Sequence, residues 1–146
     1  MGSSELAAGP AVVHTIELSA RLTILTARTA GRADLAQRAR SIAERAGPLA
    51  AEDAAAYRDY LATRSEESQR RTVELPVQMA ELAAEAAEVA AAAARATDGA
   101  VGGDAKVGVL LAECAARAAA LLVELNGGGD AAASATARAS LAASLV

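Results

Sequence analysis

The chain has 146 residues, 53% of them hydrophobic and 22% charged, with a formal net charge of −4. That length and balance describe one folded domain spanning residues 1–146 and exclude a disordered chain. Negative charge and an aromatic content of 1% leave little to neutralise a phosphate backbone or stack on bases, so no nucleic-acid partner is expected. Alanine dominates, Phe and Trp are absent, and Tyr57 and Tyr60 are the only aromatics, a composition that favours helices over strands. A core built of alanine removes little apolar area per residue, and a homodimer is expected to supply more.

In chain order, Gly9-Pro10 suits a helix entry, and an apolar pattern then runs over residues 12–30 before Gly31. A second pattern covers residues 33–63, with Leu35, Ile42 and Leu49 seven apart and a bend expected at Gly47-Pro48. Ser65-Glu66-Glu67-Ser68 offers a cap and early acids for a third helix reaching Arg95 or Ala96, with a kink near Pro76. Residues 97–103 read as a Gly-rich loop feeding a fourth helix, which ends at Asn126 before Gly127-Gly128-Gly129. Asp130 is placed to cap a short, Ala-rich fifth. The expected fold is an all-α antiparallel bundle of four long helices plus a short C-terminal helix.

The fourth helix carries the clearest pattern. Val107, Leu110, Leu111, Cys114, Ala118, Leu121, Leu122 and Leu125 recur at steps of three and four, which commits one stripe to a core and predicts Cys114 inside it. Glu113, Arg117 and Glu124 interrupt the segment at a cost too high for mid-bilayer, so no membrane span is expected. The lone Cys114 gives no intrachain disulfide and no metal-ligand spacing. The N-terminal residues carry no basic region, and Leu6 stands where a myristoylation signal needs Ser or Thr, so a cytoplasmic protein is expected.

Three polar positions interrupt these patterns. Leu49, Asp53, Tyr57 and Leu61 share one helical face, which puts Asp53 in an otherwise core-facing row, either at a solvated rim or buried with a raised pKa suited to proton transfer. Asp104 stands at the mouth of the fourth helix, where capping and the helix dipole suffice to explain it, or where it lines a ligand cleft with the preceding loop. His14, Glu17 and Arg21 form a polar strip on the first helix, either solvated or suited to acid-base work.

Three segments in order, Ala-Glu-Asp-Ala-Ala-Ala-Tyr (51–57), Val-Glu-Leu-Pro-Val-Gln-Met-Ala-Glu-Leu-Ala (73–83) and the helix over residues 104–126, resemble the cyclodeaminase/cyclohydrolase family. This is the all-helical domain of formimidoyltransferase-cyclodeaminase and of bacterial methenyltetrahydrofolate cyclohydrolases. The resemblance spans roughly residues 33–126; ahead of it, where the family carries a glycine-rich loop, stands Ala7-Ala8-Gly9-Pro10. It implies a dimeric bundle that binds a one-carbon folate as substrate, without a cofactor or metal, and either hydrolyses the methenyl bridge or releases ammonia from a formimino group. It also implies Asp53 and Asp104 as catalytic carboxylates and Tyr57 and Asn126 as substrate-binding residues; Gly9, standing where the family has its glycine loop, and His14, from the polar strip, are added to the substrate-binding candidates. The alternative is a non-catalytic relative serving as a ligand-binding or dimeric interaction module.

Overall fold

The computed structural model describes residues 7–146. Six helices follow one another among the described residues: α1 (Ala8–Thr29), α2 (Ala33–Ala46), α3 (Leu49–Thr63), α4 (Glu66–Arg95), α5 (Ala100–Leu125) and α6 (Ala133–Ser144). No strand occurs among the described residues, and the helices pack as an all-α bundle. The count exceeds the expected one because the pattern over residues 33–63 forms two helices. Pro48 has no amide to continue the hydrogen-bond ladder, so α2 ends at the Gly47 N–H to Ala43 carbonyl bond and α3 begins beyond it.

Helix ends follow local chemistry. Ser65 accepts the Ser68 backbone N–H at 3.1 Å and caps α4, which then runs unbroken through the buried Pro76. α1 and α5 both end on a paired-bond turn closed by a glycine with positive φ. Arg32 N–H donates to Ala27 O and Gly31 N–H to Arg28 O, while Gly128 N–H donates to Val123 O and Gly127 N–H to Glu124 O.

α4 is the central helix and touches all five others. Its inward residues are mostly alanine, from Ala80 through Ala94, with Met79, Leu82 and Val89 among them. Small side chains set the helix spacing, and the closest packing is between α4, α5 and α1. A Cβ on Gly108 of α5 would stand 3.3 Å from the Ser19 carbonyl oxygen and 3.4 Å from Thr23 Oγ1 of α1. The approach lets Ser19 Oγ donate to Gly108 O at 2.7 Å and Thr26 Oγ1 donate to Val101 O at 2.9 Å. Buried hydroxyls on α1 are thereby satisfied against the α5 backbone.

This packing reverses the expected orientation of α5. The buried face is Gly102, Ala105, Gly108, Val109, Ala112, Ala115, Ala116, Ala119 and Val123. The leucine stripe expected in the core faces outward, with Val107, Leu110, Leu121 and Leu125 between 50% and 72% exposed and Cys114 exposed beside them. A tight helix contact needs glycine and alanine on the touching faces, and the larger side chains are left outside.

The start of α5 also differs. Residues 100–103 are helical, so the expected loop is shorter, the N-cap is Gly99, and Asp104 lies exposed in the second turn rather than at the mouth. Gly102 allows this, since a Cβ there would come within 3.1 Å of the Thr97 carbonyl oxygen. No helix among the described residues is long and apolar enough to cross a membrane.

Candidate functional site

A cleft of about 480 Å³ opens where the first turn of α1, the middle of α3, the start of α4 and the end of α5 meet. Pro48 makes this possible, because it frees α3 from the line of α2 and lets it lean across the N-terminus of α1. Gly9, Asp53, Tyr57, Arg58, Thr72, Leu122 and Asn126 line the cleft.

Asp53 is half-buried, and burial pushes its carboxyl above the usual carboxylate range. Its carboxyl packs against the Cα of Gly9. A Cβ at Gly9 would fall 2.8 Å from Asp53 Cγ and nearer still to Oδ2. Glycine is therefore what gives the carboxyl its place beside the first turn of α1. The row that was to bury Asp53 departs from expectation past this point: Leu49 is buried, but Tyr57 and Leu61 are exposed, because α3 leaves the core towards its C-terminus.

Asn126 follows the last turn of α5. Its Nδ2 donates to the Thr72 carbonyl at 2.7 Å. A carbonyl only accepts, so the NH₂ must face Thr72, and Oδ1 remains as an acceptor at the cleft. Tyr57 sets its ring at the rim, more exposed than buried, where one face can receive a planar ligand. Arg58 adds a cation on the same rim, and Leu122 supplies an apolar wall.

Gly9, Asp53, Tyr57 and Asn126 are thus brought together from two helices, α1 and α3, and the turn after α5. Asp104 and His14 are not; both are exposed and neither lines the cleft. Arg58, Thr72 and Leu122 are cleft residues that sequence reading did not single out. Arg58 had a signal in its place beside Tyr57, and Leu122 in the apolar stripe. Thr72 had none, since its main-chain carbonyl makes the contact. Among the described residues no group of three or more His, Cys, Asp or Glu side chains is placed to hold a metal ion.

The cleft can do three things chemically: place one carboxylate of raised basicity against a cationic or N–H-bearing ligand, accept a hydrogen bond at Asn126, and stack a flat ring on Tyr57. Protein-family models give no match to the chain, and no curated protein matches it.

Proposed function

We infer that the cleft binds a one-carbon folate and that Asp53 assists its hydrolysis. The observation that supports this reading is the meeting of Asp53, Tyr57 and Asn126, three positions implied by the family resemblance, with Gly9 in one cleft. A methenyltetrahydrofolate carries a cationic amidinium carbon, for which the Asp53 carboxylate is the counter-charge. Asn126 Oδ1 accepts from a pterin N–H, Tyr57 stacks on the ring, and Arg58 pairs with the glutamate carboxylate of the folate.

With the cation bound, Asp53 takes a proton from a water as its oxygen bonds to the methenyl carbon. One C–N bond of the resulting carbinolamine breaks, the proton passes from Asp53 to the departing nitrogen, and the hydroxyl proton is released to solvent as the carbonyl of the formyl group forms on the other nitrogen. Raised basicity favours Asp53 in the first step, and its protonated form serves the second. Ammonia loss from a formimino folate would use the same groups, with the folate's second nitrogen attacking the formimino carbon in place of water, and Asp53 taking that nitrogen's proton and passing it to the departing amine, which leaves as ammonia.

A second reading, folate binding without turnover, is favoured by the exposure of Asp104, which leaves one carboxylate in the cleft instead of two. The test follows the absorbance of methenyltetrahydrofolate with purified protein beside a thermal-shift titration. Turnover predicts loss of absorbance above the buffer rate and a rise in Tm. A Tm rise with the buffer rate supports the second reading. The buffer rate with an unmoved Tm overturns both.

A further inference from the structure

α5 is apolar on two opposite sides. Its small-residue face is buried against α4 and α1, while Val107, Leu110, Cys114, Leu121 and Leu125 are exposed, with Leu111, Ala118 and Leu122 half-buried beside them. A helix apolar on both sides belongs in an interior, and a continuous apolar strip on the surface of one chain marks a contact. α1 and α6 pack along α5, and each carries exposed leucines of its own, Leu18 and Leu25 on α1 and Leu141 on α6, with Leu145 just after it.

The strip is complementary to itself. Reversing α5 about Ala116 returns the same eight positions: Val107 exchanges with Leu125, Leu110 with Leu122, Leu111 with Leu121, and Cys114 with Ala118. Lys106, Glu113, Arg117 and Glu124 lie together along one edge of the strip, at the flank where Glu113 accepts Ser140 Oγ of α6. Reversal about Ala115 exchanges Lys106 with Glu124 and Glu113 with Arg117, so every charge meets its opposite. The two centres differ by one residue, about 1.5 Å along the helix.

Two antiparallel helices related by a two-fold axis present the same edge to one another. We propose that a second copy of this chain covers this face, with α5 packed antiparallel on its symmetry mate and the axis passing near Ala115 and Ala116. An unrelated partner would need the apolar strip alone; inversion of charge sign about the same point is what self-pairing adds. The strip is about 27 Å long and ~10 Å wide, roughly a third of the ~800 Å² per partner of a stable interface. The exposed leucines of the neighbouring α1 and α6 are the apolar side chains available to supply the remainder.

The dimer does not depend on any ligand, so its failure leaves the folate reading standing and the reverse holds as well. Light scattering on the full chain is expected to give the mass of two copies. Leu110→Glu with Leu121→Glu is expected to give one copy with unchanged far-ultraviolet helicity. Lys106→Glu and Glu124→Lys, on the surface and harmless to folding, are each expected to weaken dimerisation about tenfold, because symmetry counts each pair twice. The combined swap is expected to restore it. Cys114, the only cysteine, is expected to join two copies through a short bis-maleimide. A single-copy mass at the highest soluble concentration overturns the proposal. So does a dimer indifferent to both leucine changes and to the charge swap, or one that Cys114 fails to cross-link.

Discussion

Two regions of the molecule set a glycine and an aspartate near the start of a long helix, and they come to opposite ends. At the head of α1, the space left by the absent Gly9 Cβ is filled by the Asp53 carboxyl arriving from α3. At the head of α5, the corresponding space at Gly102 is filled by the Thr97 carbonyl of the preceding turn, Gly103 faces open space, and Asp104 stays in solvent. The difference is in the neighbour. A carboxylate is desolvated when a second helix carries it into a cleft, and belonging to the first turns of its own helix does not achieve this.

The largest expected contrast lies in turnover. Asp53→Asn should lower hydrolysis of methenyltetrahydrofolate about 100-fold or more, the usual loss for a general base, while Asp104→Asn should leave the rate unchanged. Steady-state absorbance assays on both variants measure it. Gly9→Ala comes next. Its methyl displaces the Asp53 carboxyl, and folate affinity measured by calorimetry should fall about tenfold, or ~1.4 kcal/mol. Gly103→Ala should act in the other direction, stabilising the protein by about 0.5–1 kcal/mol in denaturant melts, since the position is helical and open.

A smaller effect concerns pH. Because the folded state raises the Asp53 pKa, it holds more protons than the unfolded chain between the ordinary carboxylate value and the raised one. Stability should therefore fall as pH rises through that window, and the cost of burying the charge should be fully present at neutral pH. Asp53→Asn removes the cost, so its Tm should exceed wild type at pH 7 and the gap should close in acid. The smallest effect is expected at α6, where Arg138 donates to Glu88 at 2.9 Å and to Glu81 at 2.7 Å. The Arg138 hydrogen bonds hold Glu88 below the usual range. These groups are largely solvated, and Arg138→Ala should cost under about 1 kcal/mol by thermal melt.

Much of the fold could be read from sequence where the cause was local. Ser65 caps α4, Gly31 and Gly127 close α1 and α5, and each is explained by groups within a few residues. The cleft was legible in part for the same reason: Asp53 stands out against its row whatever packs on it. Two things were hidden by tertiary choices. A hydrophobic scale ranks leucine above alanine, yet α5 turns its alanines and Gly108 inward because they permit contact with Ser19 and Thr23. Gly102-Gly103 resembles a loop until Thr97 is seen to occupy the space beside it, and with the loop goes the reason to place Asp104 at a helix mouth.

The most direct measurement is equilibrium binding of a non-hydrolysable amidinium analogue of methenyltetrahydrofolate to three proteins, wild type, Asp53→Asn and Asp104→Asn, by titration calorimetry. Binding of one ligand per chain to wild type and to Asp104→Asn with equal affinity, and at least about tenfold weaker binding to Asp53→Asn, is the predicted result. Equal binding to wild type and Asp53→Asn, or loss of binding in Asp104→Asn alone, would contradict the assignment of the site to the cleft around Asp53.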